Sequence, residues 1–404
     1  MRDLNSAISS NYRQHPAFNF EAASLELPIE LLQRFNEVYA AVRKIAPTLE
    51  AKTLVGLYQD CEQGLDKIFQ YLIAQTKEPF QLCFLEELLN ASRKLITQEL
   101  EWYCKPQYSG FVELATLSDR ENIIRMHMQR HFFGKLNSVA VSEICEISKL
   151  AVDKFRFNVA AGRLTREDLS ISSGPAVRAI RKVLNREFKK LGVLDVMSAY
   201  TGRKMRVVGL ALELSVPQAS WWKNAISGLD RPPQTLYAHL DETISCPKSI
   251  VYLTDVTTMN GPTGCYPQSY ESMQLNPLQE VIGRVVGTIG DGAESVLKTY
   301  YAKTYHQSTS SENFRRHFML LPECLRFNSH LGWDVMPGSE LESELAENEQ
   351  KMMGPAGTFI AFDGARLLHR GGLMQSGDRV ALQVVFSDTS VLQQVVNRTK
   401  RMFV

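Results

Sequence analysis

The hydrophobic period changes once along the chain, near residue 192, and that change limits what the polypeptide can build. Before it, apolar residues recur at helical spacing. Leu31, Phe35, Val38, Val42 and Ile45 follow one another at intervals of four, three, four and three, one stripe of a helix over 28–45. The segments 62–75 and 81–103 repeat the habit, the second with Leu85, Leu88, Leu89, Leu95 and Ile96. Ser118 with Glu121 three residues later is a capping-box pattern and predicts a helix to about 133. A further helix is predicted over 141–156. Ser173-Gly174-Pro175 opens another, carried by Val177, Ile180, Leu184 and Leu191, and Gly192 closes it. Residues 1–192 are therefore expected to be a helical region.

After 192 the pattern becomes that of strands. The run Met205–Val216 is rich in β-branched residues and ends at Pro217, which predicts a strand. Shorter strands are predicted over 235–240, 249–255, 357–362 and 379–387. Turn chemistry separates them: Arg231-Pro232-Pro233, Asn260-Gly261-Pro262, Gly354-Pro355 and Ser376-Gly377-Asp378. Many short strands with such turns imply a sandwich or barrel over 193–404. The stretch 277–350 is polar and partly helical, ends in the acidic residues 340–349, and reads as an insertion on that scaffold. The fold class expected is α+β.

Charge excludes some functions. Lys and Arg number 45 against 44 Asp and Glu, with no basic tract, so no nucleic-acid partner is expected. No apolar run approaches 18 residues, so no membrane span is expected. Met1 to Phe20 lacks the apolar core of a signal peptide. The seven cysteines are scattered, odd in number and without a C-x-x-C pair. These features suit a reducing cytoplasm.

The chemistry-bearing residues lie in the strand-rich half. His239-Leu240-Asp241 ends a predicted strand, and side chains at i and i+2 project from one face. An imidazole and a carboxylate can then meet at one point. His369, just past the predicted strand 357–362, is the candidate for a third metal ligand. Two histidines and a carboxylate on one face of an ion leave three positions open, which suits non-haem Fe(II) with a chelating co-substrate and O2. Arg379 stands ten residues beyond His369, at the start of a strand. Its guanidinium can grip a carboxylate by two parallel hydrogen bonds. A dicarboxylate chelating the metal at one end and meeting Arg379 at the other describes 2-oxoglutarate.

Each of these residues also has a plainer reading. H-x-D alone is common; Asp241 could cap a turn, His369 could be a core histidine and Arg379 a solvated strand residue. His127 and His131, four apart on the predicted helix, lack the glutamate of a zinc protease and read as helix surface or packing. The Gly287–Gly292 loop has the wrong glycine spacing for a dinucleotide fingerprint. Trp221, Trp222 and Lys223 could line a substrate pocket, though the two tryptophans read rather as packed aromatics, and His306, His317 and His330 show no partner pattern. Two rival functions use the same half: a cupin-like metal enzyme without 2-oxoglutarate, and a non-catalytic scaffold with a helical interaction module.

The segment 200–390 resembles the phytanoyl-CoA dioxygenase-like branch of the Fe(II)/2-oxoglutarate oxygenases. The resemblance is carried by His239-Leu240-Asp241, Ile250-Val251-Tyr252-Leu253, Asn260-Gly261-Pro262, His369 and Arg379, in that order. Where that family often has Pro-Gly-Ser-His, this chain has Pro267-Gln268-Ser269-Tyr270; two residues past the distal histidine it has Gly371 in place of Ser or Thr. The resemblance implies a double-stranded β-helix of the jelly-roll, cupin-like kind. It implies Fe(II) on His239, Asp241 and His369, 2-oxoglutarate on Arg379, and O2 as oxidant. The reaction implied is hydroxylation of a small molecule with release of succinate and CO2.

Overall fold

A computed structural model of the chain describes residues 27–45, 51–104, 117–218, 238–239, 241, 246–267, 277–286, 289, 317, 320–325, 340–372 and 374–388. The chain forms two compact units, each discontinuous in sequence. One draws on 1–106, 225–244 and 270–347, the other on 107–224, 245–269 and 348–404.

The regular elements described in the first unit are helices. Its helices are α1 (Ile29–Ile45), α2 (Ala51–Gln75) and α3 (Pro79–Cys104), with two more over Pro277–Val285 and Glu340–Glu347. The stripe read from the sequence faces inward: Phe35 and Val42 are buried with Tyr58, Leu65, Phe69, Leu88 and Leu95, and Leu278, Val281 and Ile282 join them. Burying side chains of this size contributes about 1.5–3 kcal/mol each. Glu99 is fully buried in this apolar setting and accepts hydrogen bonds from the hydroxyls of Tyr39 (3.1 Å) and Tyr58 (3.3 Å).

The second unit packs helices and two antiparallel sheets. Its helices are α4 (Leu117–Gln129), α5 (Ser138–Ala160), α6 (Arg166–Leu169), α7 (Pro175–Lys190) and α8 (Val193–Thr201). Its strands are β1 (His131–Lys135), β2 (Ser170–Ile171), β3 (Arg206–Ser215), β4 (Pro247–Tyr252), β5 (Thr263–Tyr266), β6 (Gln350–Met352), β7 (Thr358–Asp363), β8 (Leu368–Arg370) and β9 (Arg379–Ser387). Six of them form one sheet in the order β1-β7-β4-β9-β3-β2, and three form another in the order β6-β5-β8.

Strand alternation decides what covers each face. Leu210, Leu212 and Leu214 of β3, Phe359 and Ala361 of β7, and Val380, Leu382 and Val384 of β9 point one way. They are buried with Ile144, Phe155, Ile180, Leu184 and Phe188 of the helices. The opposite face sends Tyr252, Ile360, Phe362 and Ala381 to meet Cys265 and Met352 of the smaller sheet. Helices thus cover one face of the six-stranded sheet and the three-stranded sheet covers part of the other. Helices α4–α8, which sequence reading groups with the helical region, belong to this unit.

The helix expected to reach about 133 stops at Gln129. Arg130 adopts φ +65°, a left-handed conformation that ends the helix, and His131 begins β1. His127 and His131 therefore do not share a helix face: His127 packs on the Tyr200 ring, 5.2 Å between centroids, while His131 bonds to Gln350 (3.0 Å) and to the Gln129 carbonyl oxygen (2.9 Å). Ser118 falls inside α4 and not at its cap. Of the strand expected over 235–240, Ala238 and His239 are described, and His239 forms an isolated β-bridge. Trp221, Trp222, Lys223, Gly287, Gly290, Gly292, His306 and His330 lie outside the described residues. Buried His317 stacks on Phe84. Among the described residues no helix is long and apolar enough to cross a membrane.

Candidate metal centre

In the first unit, His239 and Asp241 project together as their i, i+2 spacing requires. His239 Nε2 lies 3.8 Å from Asp241 Oδ1, and Asp241 is buried while His239 is half-buried. That separation exceeds a hydrogen bond. Two atoms that far apart can each reach about 2 Å to one ion, at an angle wider than the right angle of a facial set.

In the second unit, the turn between β7 and β8 sets the place of His369. Asp363 ends β7 fully buried. Its Oδ1 accepts from the backbone N–H of Cys246 (2.9 Å) and Ala365 (3.1 Å), and its Oδ2 from the Tyr200 hydroxyl (2.9 Å). The Leu367 N–H returns to the Asp363 carbonyl at 2.9 Å. The chain then enters β8, where His369 pairs with Cys265. His369 is buried, its ring edge-on to Phe362 at 4.7 Å. Its Nδ1 lies 2.8 Å from the Leu367 carbonyl oxygen. A carbonyl only accepts, so Nδ1 carries a proton, and in the neutral ring Nε2 carries the lone pair. Metal-ligating histidines are oriented by this kind of backbone bond.

Arg379 opens β9 opposite Ser215 of β3. Only 7% of it is exposed. One terminal nitrogen donates to the Gly261 carbonyl, the other to Ser215 Oγ at 3.2 Å, and the guanidinium lies over the Tyr252 ring. Gly261 presents that carbonyl from a φ of +69°, where an added Cβ would meet the Gly372 carbonyl oxygen and Met374 Sδ. Burial pushes the Arg379 pKa down, against the opposing pull of Tyr252 and Glu213. Among the described residues no carboxylate forms an ion pair with Arg379, and its Nε has no hydrogen-bond partner. A buried cation supported mainly by neutral acceptors leaves room for an anion.

Sequence reading passes over two groups beside this arginine. Ser215 and Glu213 share the inner face of β3, and Glu213 accepts from the Gln383 amide of β9 at 2.7 Å. Burial holds the Glu213 carboxyl above its ordinary pKa. The signal was present: in Leu210-Ala-Leu-Glu-Leu-Ser every second residue is Leu, and the polar residues fall on the other face.

No protein-family model matches the chain, and no curated protein matches it. Solved structures that it is similar to include AviO1 from Streptomyces viridochromogenes Tue57, at 11% identity over 68% of this chain and 97% of that one, with a TM-score of 0.35. Another is the epimerase SnoN of nogalamycin biosynthesis, in complex with Fe3+, alpha ketoglutarate and nogalamycin RO, at 11% identity over 67% and 84%, TM-score 0.34. A third is EctD from S. alaskensis with 2-oxoglutarate and 5-hydroxyectoine, at 14% identity over 70% and 82%, TM-score 0.34. These likenesses are distant, and the chemistry of the centre is read from the residues above.

Proposed function

We propose that the chain is an Fe(II)- and 2-oxoglutarate-dependent oxygenase whose iron ligands are His239, Asp241 and His369. The observation that carries this reading is Arg379: a buried guanidinium with no carboxylate ion-paired to it and no Nε partner among the described residues, ten residues past a histidine whose Nδ1 faces a carbonyl and leaves Nε2 for a metal. The donor set fits Fe(II). Two imidazoles and one carboxylate are borderline and hard ligands, and they leave positions for a chelating co-substrate. The two facing sheets of the second unit are then halves of a double-stranded β-helix.

When bound, Fe(II), 2-oxoglutarate and O2 supply oxidation of a substrate C–H, with succinate and CO2 as co-products. The chain supplies the rest. Asp241 brings the negative charge and the His369 tautomer presents a neutral lone pair. Arg379 fixes the far carboxylate of the co-substrate, with Gly261 and Ser215 holding its guanidinium level. The Tyr252 ring and the Phe362 ring exclude water from beneath. Hydroxylation of a small molecule is the simplest outcome. Desaturation and ring closure use the same residues. Halogenation is disfavoured because Asp241 stands where a halide would bind.

The test is anaerobic Fe(II) titration of the purified chain, followed by 2-oxoglutarate, ascorbate and O2 with succinate as readout. Stoichiometric iron, together with succinate that disappears in Arg379→Ala, is the expected result. Tight iron with a 2-oxoglutarate requirement unchanged in Arg379→Ala would remove the co-substrate assignment. No iron binding would remove the metal centre.

A further inference from the structure

The strand that carries His369 is short. β8 is three residues long and, among the described residues, lies at the edge of its sheet, where it pairs with β5 through Leu368–Tyr266, His369–Cys265 and Arg370–Gly264. Short edge strands fray. The Nδ1 hydrogen bond of His369 goes to Leu367, two residues back on the same segment, so it moves with the strand and does not anchor it.

On the reverse face stands a second device. Alternation places His369 and Cys265 on the side of Phe362, and Arg370 and Gly264 on the other. Glu349, just before β6, sends its carboxylate across β5 to Arg370. Arg370 Nε donates to Oε1 at 2.8 Å and Nη2 to Oε2 at 2.7 Å, a parallel fork. The side chains of Arg370 and Glu349 are 13% and 6% exposed, and Arg370 lies over the Tyr266 ring. Lys351 Nζ adds a weaker contact to Glu349 at 3.7 Å. The carboxylate crosses directly above Gly264, where any Cβ would collide with Oε1. This ion pair ties the two outer strands together over the middle one, immediately behind the histidine.

We infer that Glu349, Arg370 and Gly264 form a positioning clamp that holds β8 in place and so sets the metal-binding geometry of His369. The inference rests on the proposed role of His369 as a ligand. Glu349 and Arg370 touch neither metal nor substrate; they act through the strand. Arg370 follows His369 directly, so a shift of β8 that releases the fork also moves the imidazole.

The test is Co(II) titration of the full chain followed by d–d absorption, alongside thermal melting of the metal-free protein. Glu349→Gln keeps the shape and loses the charge; Gly264→Ala keeps the charges and dislodges the carboxylate. Each is expected to weaken Co(II) binding at least tenfold at a temperature where melting shows it folded, within the range seen for residues that orient metal ligands. Gly264→Ala made in a Glu349→Ala background is expected to add nothing, because the colliding oxygen is gone. Arg370→Lys replaces Glu349→Gln should that variant not fold, since it retains the charge and loses the fork.

His369→Ala is the control. If it abolishes Co(II) binding while the clamp variants melt lower and bind Co(II) as the parent does, the clamp serves only stability and the inference falls. If His369→Ala itself leaves Co(II) binding unchanged, the metal centre falls and takes the clamp with it.

Discussion

Replacing Arg379 with methionine separates what that residue does for the fold from what it does for a ligand. The change removes a buried charge and preserves most of the volume. In the protein it deletes the hydrogen bonds to the Gly261 carbonyl and Ser215 Oγ. Bonds to a charged donor contribute about 1.5–3 kcal/mol each, so the loss is roughly 3–6 kcal/mol. Against this stands the desolvation of a guanidinium that has no carboxylate ion-paired to it among the described residues, a cost of several kcal/mol that methionine does not bear. The two terms nearly cancel. The net change in stability is expected within about 2 kcal/mol, which moves melting by less than about 8 °C for a unit of this size. Binding is expected to respond much more. Losing a desolvated charged partner costs about 2–5 kcal/mol, about 30-fold to a few thousand-fold in the 2-oxoglutarate requirement. Calorimetric titration of the Fe(II)-loaded protein with 2-oxoglutarate, beside scanning fluorimetry of the metal-free form, measures both. An unchanged 2-oxoglutarate affinity would refute the anchor. A collapse of melting by 20 °C or so would refute the other half, because it would mean that the protein already satisfies the arginine internally, with Glu213, whose charge acts on it, the acid to blame.

Three further outcomes follow from the same packing. Burial raises the Glu213 pKa, so folding favours its neutral form; that stability is fully present below the ordinary value of 4.5 and is lost as pH rises through the raised one. Glu213→Gln should therefore flatten the decline of melting temperature with rising pH above 4.5, and parallel profiles for variant and parent would contradict this. Asp363→Ala removes three hydrogen bonds at the β7–β8 turn and should destabilise by about 3–5 kcal/mol in denaturant melts while weakening metal binding; full metal affinity in a folded variant would show that the turn does not place His369. In Gly134→Ala the new methyl would sit inside the van der Waals space of the Phe359 ring across the β1–β7 pair, an overpacking cost of about 1–3 kcal/mol, and unchanged chemical unfolding would count against it.

Long periodic elements were legible, and short ones were not. The stripe Leu31, Phe35, Val38, Val42 needs only a count of intervals, because a helix of four or five turns averages over any single residue. The strands 206–215 and 379–387 were visible for the same reason: nine or ten residues of alternation outvote a local ambiguity. β5, β6 and β8 are four, three and three residues long and carry no readable period, yet they form the sheet that presents His369. The run His131-Phe-Phe-Gly-Lys fits the end of a helix as well as a strand. Its pairing with β7, more than two hundred residues away, decides the matter. The helix α8 hid between Gly192 and Gly202, both left-handed, because the first glycine reads as an ending and gives no sign of a new start.

At the site, the sequence by itself determined which groups are available: an imidazole and a carboxylate on one face through H-x-D, a distal histidine, and an arginine at a strand start. Covalent spacing and strand alternation are local, so they survive without a fold. Only the tertiary structure decided the states of those groups. The His369 tautomer depends on where the Leu367 carbonyl points, and the lack of a partner for Arg379 Nε among the described residues on which neighbours burial brings to it. The fork from Glu349 to Arg370 joins residues 21 apart across a glycine in a third strand. Such contacts are set by how strands pair and what they exclude from water, and neither quantity is a function of any short stretch of chain.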